Sequence, residues 1–391
     1  MPSTVILGSA RTPIGKLGGA LAPLDATTLG GIAMAGALER SDVEPEQIQH
    51  IVMGTVLQAG QGMIPSRQAQ AKAGVPISVS SETINKVCAP GMRAVALLDT
   101  AIRAGDIEVG LGGGMESMSN APYLLEGVRF GLRLGDGTAR DVMLKDGLES
   151  PWSGKHMAAE ATEVAAELEI TRAEMDRWAL RSHERALAAI DDGRMAEEIV
   201  NVTIASRKGD VIVAQDEAPR RETTLETLAK LAPIFVEDGS HTAGNSPGVN
   251  DGAGAVVVAS SEWAVANGKE PLATIVASAQ AADDFPYLAR TPALAARAAL
   301  AKAGLEPSQI DLWEINEAFA SVVISSIRML GIDEDRVNVN GGAVALGHPI
   351  GASGARILAS LVHELRRRGG GLGCAAICSG GGQGDAVILK V

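Results

Sequence analysis

Apolar residues fall along this chain in two alternating patterns. Short β-branched runs, TVIL at 4–7, HIVMG at 50–54, ATIVA at 273–277 and VVI at 322–324, predict strands. Between them lie longer alanine-rich stretches whose apolar positions recur at helical spacing. GMRAVALLDTAIRAG at 91–105 predicts one helix, and HMAAEATEVAAELEI at 156–170 and TRAEMDRWALRSHERALAAI at 171–190 predict two more. Each half of the chain therefore reads strand, helix, strand, helix, strand, which is an α/β pattern.

The pattern also repeats. VEPEQIQHIVMG at 43–54 matches LEPSQIDLWEIN at 305–316, with Glu, Pro, Gln and Ile identical at an offset of 262 residues. GMRAVALL at 91–98 echoes GARILASL at 354–361 at an offset of 263, and the turns LGGGME and CSGGGQG follow each in the same order. Two similar α/β layers packed together are expected. An insertion over roughly 119–248 interrupts the first, which resumes after the turn GNSPGVNDG with the strand-like GAVVVAS at 254–260. The expected division is 1–118 plus 249–270 as a first half, 119–248 as a loop domain that holds ligand, and 271–391 as a second half.

Composition narrows the function classes. Aromatics make up only 3% while glycine reaches 46 of 391 residues, so small residues must fill tight layers. The net charge of −13 argues against a nucleic-acid partner or an anionic membrane surface. An anionic ligand would need local positive charge, for which Arg220 and Arg221 are candidates. Apolar runs such as AVVVA at 255–259 fall far short of the roughly 20 residues of a membrane span. The opening MPSTVILGSARTP enters a strand-like run with no basic segment before it, so a cytoplasmic location is expected. The three cysteines lack CxxC spacing, which fits reduced thiols better than a disulfide framework or a zinc knuckle. No metal or organic redox cofactor is expected.

Four segments hold residues suited to chemistry. Cys88 stands just before Pro90, a residue suited to the first turn of a helix, so the thiol is expected at the helix's positive end with its thiolate favoured. Read alone, a buried structural cysteine is the plainer alternative and the commoner fate of a free cysteine. His348 sits between Gly347 and Pro349 in NVNGGAVALGHPIGASGAR, where no regular element can aim its ring; a solvated loop histidine is the plainer alternative. Cys378 ends the apolar run AAICSGGGQG and is expected to be the exposed thiol of that strand, with Cys374 deeper on the same face as core. NEAFA at 316–320 brings Asn316 and Glu317 to the end of LWEIN, and Asn316 could instead be a helix cap. No GxGxxG, P-loop or HExxH motif is present.

Together these segments resemble the thiolase family, of the acetyl-CoA acetyltransferase type, along nearly the whole chain. The matching stretches are ARTPIGK, the Cys88 segment, GGMESMSNAP, KDGL, TAGN, NEAFA, GGAVALGHPIGASGAR and CSGGGQG. The resemblance implies a thiolase fold: a duplicated, five-layered αβαβα core with a loop domain inserted in the first half. It implies acyl transfer between CoA thioesters, condensing two acetyl-CoA to acetoacetyl-CoA or running the reverse thiolysis in fatty-acid metabolism, with coenzyme A as substrate and product. Cys88 would carry the acyl group, His348 would take its proton, and Cys378 would handle the proton of the second substrate or of its leaving thiol. Asn316, through a water, and His348 would hold the enolate oxygen. The backbone amides of Cys88 and Gly380 would hold the tetrahedral oxyanion. Leu148, His156, Met157, Arg220, Phe235, Ala243, Pro247 and Phe319 would contact coenzyme A, although Leu148, Met157 and Phe235 also fit ordinary core. A homotetramer joined through EGVRFGLRLGDGT at 126–138 is implied as well.

Two positions depart from the acetyl-specific pattern, Pro90 and Pro247, where relatives commonly carry serine. At 247 the serine serves the pantetheine arm, so one hydrogen bond to that arm is expected to be missing. A 3-ketoacyl-CoA thiolase of broader chain length is therefore the alternative. A β-ketoacyl synthase would need a second histidine or an asparagine beside the cysteine in place of a thiol. A thiolase-like binding protein without catalysis would show damage in one of the four segments, and none is visible.

Overall fold

The computed structural model describes residues 3–391. Met1 and Pro2, at the head of the opening segment read as having no leader, lie outside the described residues. Among the described residues ten strands form one mixed sheet, nine of them in two limbs and the short Gly15–Lys16 off the main path, where it pairs with Asn250 and Asp251. The first limb runs Thr4–Arg11, Asn250–Ser260, Val109–Ser117, His50–Gly54, Ser80–Ile84, and the second runs Ala273–Ala282, Gln383–Lys390, Leu372–Ser379, Leu312–Ile315. The limbs meet where Thr4–Ile6 pairs antiparallel with Ala273–Ile275.

The repeated sequence builds repeated structure. Glu44 and Gln47 cap one 3-10 turn reciprocally, Glu306 and Gln309 cap another in the same way, and each turn leads into a strand, His50–Gly54 or Leu312–Ile315. In both places proline opens the turn, where its missing N–H costs nothing.

Period-two alternation sorts the strand residues into layers. Ile6, Val52 and Val256 of one limb and Ile275, Ile377 and Val387 of the other close on a shared core with the helices Pro90–Ala104 and Ser353–Arg367. The alternate residues Val5, Ile51 and Val257 face the helix Ala26–Ser41. On the second limb Trp313, Cys374 and Ala376 face the helices Thr291–Ala303 and Ala320–Leu330. The result is helix, sheet, helix, sheet, helix, the five layers expected.

The central helices approach through glycine. A Cβ on Gly91 would lie 2.9 Å from the Ala355 amide nitrogen, and one on Gly354 would lie 2.4 Å from that of Met92. Gly91 and Gly354, and Met92 and Ala355, are the pairs related by the repeat, so the contact is two-fold symmetric. It brings together the start of the Pro90 helix, just after Cys88, and the start of the Ser353 helix, just after His348.

One element differs from expectation. VVI at 322–324 lies inside the helix Ala320–Leu330, whose buried residues Ala320, Val323, Ser326 and Leu330 recur at helical spacing. The β-branched run was too short to outweigh the 3.6-residue period around it.

The segment between the halves holds the hairpin Tyr123–Leu125 with Ala139–Asp141, the helices Met157–Glu167 and Arg172–Asp191, and the hairpin Val202–Ile204 with Val211–Val213. Thr171 and Glu174 form a capping box at the start of the longer helix. That helix docks on the second half through Glu317, whose carboxylate accepts from Trp178 Nε1 at 2.9 Å, Ser182 Oγ at 2.7 Å, Asn338 Nδ2 at 2.9 Å and the Val344 amide at 2.9 Å. Among the described residues no helix is long and apolar enough to cross a membrane.

Candidate active site

Cys88, His348, Cys378 and Gly380 line one cavity of about 160 Å³, in the company of Leu148, His156, Met157, Phe235, Pro247 and Phe319. Residues almost 300 apart in sequence thus meet where the two halves and the inserted segment converge.

Cys88 sits on a sharp turn before the Pro90 helix. Val87 takes a left-handed φ of 44°, costly for a β-branched residue, and its amide donates to Asn85 Oδ1 at 3.0 Å. The Cys88 thiol is buried rather than held as thiolate. Burial pushes its pKa up to about 12; the Gly380 backbone amide beside it works in the opposite direction, and the Glu116 carboxylate adds to the rise. The expected depressed pKa is therefore corrected: Ala89 is the helix cap, Cys88 precedes it, and desolvation outweighs the helix end.

His348 is buried, not solvated. Asn250 Oδ1 accepts from its backbone N–H at 2.9 Å while Asn250 Nδ2 donates to the Gly15 carbonyl at 2.9 Å, so a first-half strand anchors the second-half loop. Ser353 Oγ lies 2.6 Å from His348 Nδ1 and 3.0 Å from the Pro349 carbonyl oxygen. With the hydroxyl proton on that carbonyl, the ring donates at Nδ1 and keeps a lone pair at Nε2. Nε2 is buried and has no hydrogen-bond partner among the described residues. Burial, helped by the nearby Arg356, pushes the imidazole pKa down to about 3. Arg356 itself is buried and pairs with Glu314 at 3.2 Å, a carboxyl that burial pushes up to about 8.

Cys378 lines the cavity but is only 1% exposed, which corrects the expected exposed thiol. Val322, Leu288 and Ala318, all distant in sequence, cover it. Burial first, then the proximity of Cys88, holds its pKa well above the ordinary thiol value. Cys374 is core on the same strand, as expected. Asn316 is fully buried and is not among the lining residues, and both its Oδ1 and Nδ2 have no partner among the described residues. Its backbone N–H donates to the Ala376 carbonyl at 2.9 Å, so the carboxamide is held yet unspent, unlike a helix cap.

The expected coenzyme contacts divide. His156 accepts from the Ala158 amide at Nδ1 and stacks on Phe235 at 3.8 Å between centroids, so both form the cavity wall. Arg220 and Ala243 do not line it; both are exposed, and the Arg220 backbone N–H turns away to donate to His183 Nδ1. Arg221 is paired with Asp191. Met118, Ser246, Leu288, Ala318 and Ile350 also line the cavity and were not singled out in the sequence. All but Leu288 lay inside quoted stretches; the apolar side chains of Met118, Ala318 and Ile350 gave no chemical signal, and Ser246 was read only as part of a turn. Among the described residues no group of three or more His, Cys, Asp or Glu side chains is placed to hold a metal ion.

The uncharged thiol, the imidazole with a free Nε2, the second thiol and the amide at Gly380 can pass protons and hold an oxyanion around one carbonyl carbon. The thiolase N-terminal domain model matches residues 4–262, and the thiolase C-terminal domain model matches residues 269–391. The acetyl-CoA acetyltransferase of Cupriavidus necator is 46% identical over 391 residues, covering 100% of both chains. That of Escherichia coli is 45% identical over 391 residues, covering 100% of this chain and 99% of its own. The crystal structure of the Bacillus anthracis acetyl-CoA acetyltransferase superposes with a TM-score of 0.97 at 41% identity, covering 100% of this chain and 99% of that one.

Proposed function

The chain belongs to the thiolase family, and from that premise we propose how its cavity works. It is an enzyme of the acetyl-CoA acetyltransferase type, joining two acetyl-CoA into acetoacetyl-CoA or cleaving acetoacetyl-CoA with coenzyme A. The broader-chain alternative is not favoured, since full-length relatives are named for acetyl transfer.

The observation that carries the proposed roles is the convergence of Cys88, His348, Cys378 and Gly380 on one cavity. In condensation the Cys88 sulfur attacks the acetyl carbonyl carbon while its proton passes to His348 Nε2. The amides of Cys88 and Gly380 hold the oxyanion. Collapse expels the CoA thiolate, which takes the Cys378 proton and leaves as the thiol. Acetyl-Cys88, an imidazolium and a Cys378 thiolate remain. A thiolate whose pKa is raised by burial is a stronger base, suited to the weakly acidic α-carbon of the second acetyl-CoA. As Cys378 takes that proton, the enolate oxygen is held by His348 Nε2–H and by a water on the Asn316 carboxamide. The carbanion attacks acetyl-Cys88, and the departing Cys88 sulfur recovers its proton from His348. Both half-reactions balance without any further cofactor.

The proposed division keeps 1–118 with 249–270, sets 119–248 as the coenzyme-holding segment, and ends with 271–391. The enzyme would act in the cytoplasm, in fatty-acid metabolism; that all three cysteines are free supports a reducing compartment. A homotetramer is proposed because Leu125, Phe130, Leu132 and Leu134 are exposed at 58%, 87%, 57% and 99% on the 123–134 segment. Light scattering at the single-chain mass of 40.1 kDa would contradict it. The test of the activity is steady-state thiolysis over 3-ketoacyl-CoA substrates of increasing length. Acetoacetyl-CoA should give the highest kcat/KM; a maximum at long chains would overturn acetyl specificity.

A further inference from the structure

Among the described residues, Ser246 is the one hydroxyl-bearing side chain that lines the active cavity. The residue is 6% exposed, and its Oγ is buried with no hydrogen-bond partner among the described residues. A buried hydroxyl without a partner costs free energy unless something binds it. The turn that carries it is fixed on both sides. Asn245 Nδ2 donates to Asp176 Oδ1 at 2.9 Å, Asn245 Oδ1 accepts from the Thr242 amide at 2.9 Å, and the Asn245 carbonyl accepts from the Ala320 amide at 3.1 Å. Pro247 then locks the next φ. None of these bonds uses the Ser246 side chain, so it is pre-organised and unspent.

Building on the thiolase reading, we propose that Ser246 hydrogen-bonds an amide of the pantetheine arm of bound coenzyme A thioesters. The arm is an amide chain, and the wall formed by Leu148, Met157, Ile234, Phe235 and Val249 offers it no other side-chain hydroxyl. The bond lies away from the reacting carbon, so it stabilises ground state and transition state alike and acts on KM rather than kcat.

The experiment compares wild type with Ser246→Ala in thiolysis of acetoacetyl-CoA, and in acylation of Cys88 by an acetoacetyl alkyl thioester that lacks the arm. The expected result is a KM for acetoacetyl-CoA raised about three- to tenfold with kcat within about twofold. Acylation by the armless thioester should be equal in both proteins, and the melting temperature of the ligand-free variant should not fall, because an unpaired hydroxyl has been removed. An unchanged KM overturns the proposal, as does an equal loss with the armless thioester, which would mark a structural role. If wild type itself fails to cleave acetoacetyl-CoA, the thiolase reading fails first and the Ser246 bond fails with it.

Discussion

The Glu116 carboxylate accepts a hydrogen bond from the Gly351 amide at 3.0 Å, joining a first-half strand to the loop that carries His348. The same carboxylate accepts from the amides of Val56 at 3.0 Å and Leu57 at 3.2 Å and from Thr55 Oγ1 at 3.1 Å. Every partner is a donor. At pH 5 the carboxyl is protonated but its hydroxyl oxygen still accepts, whereas Glu116→Gln sets in its place an NH2 that cannot, and should cost about 1–3 kcal/mol in denaturant unfolding. Burial pushes the Glu116 pKa up to about 7, above its unfolded value, so its contribution is present in acid and is lost as pH rises through that value. The gap between wild type and variant should therefore narrow from pH 5 to pH 8. A gap that widens would show that the carboxylate is stabilising when charged.

Cys88 and His348 rest uncharged, the thiol pushed up to about 12 and the imidazole down to about 3. Iodoacetamide alkylation of Cys88 should keep accelerating between about pH 7 and pH 10, past the ordinary thiol midpoint of about 8.5. His348→Asn should slow acylation by acetyl-CoA on the order of 100-fold while changing alkylation little. A plateau in mildly acidic solution would instead show a thiolate–imidazolium pair.

Cys378 is asked to move protons and not to carry the acyl group. Cys378→Ala should still accumulate acetyl on Cys88 from acetyl-CoA, while condensation falls on the order of 100-fold or more. Failure of the variant to become acetylated would mean that the division of labour between the thiols is wrong.

Gly354 and Gly91 let the central helices touch, and a Cβ at Gly354 would fall 2.4 Å from a backbone nitrogen that cannot yield. Gly354→Ala should destabilise by about 1–3 kcal/mol and lower activity, since both helices begin beside the reacting groups. Unchanged unfolding would show that the helices can separate at no cost.

That contact also shows what was legible. The 262- and 263-residue repeats predicted both the pairing of halves and the equivalence of these helices, because tight glycine packing leaves a mark in sequence. Cys88, His348, Cys378 and Gly380 were legible because their turns need glycine or proline at fixed places. Burial was not. The cover over Cys378 comes from Val322, Leu288 and Ala318, whose meeting is a product of tertiary packing. For the same reason the desolvation of Cys88 and the exposed place of Arg220 could not be read from neighbours in sequence, and Ser246 became visible only as a hydroxyl with no partner.

The most direct test of the account is peptide-mapped mass spectrometry of the wild-type enzyme, quenched after incubation with acetoacetyl-CoA without free coenzyme A. The account predicts one added acetyl group, on the peptide that contains Cys88, removed when coenzyme A is supplied. No adduct, or an acetyl group on Cys378 or Cys374 in its place, would contradict it.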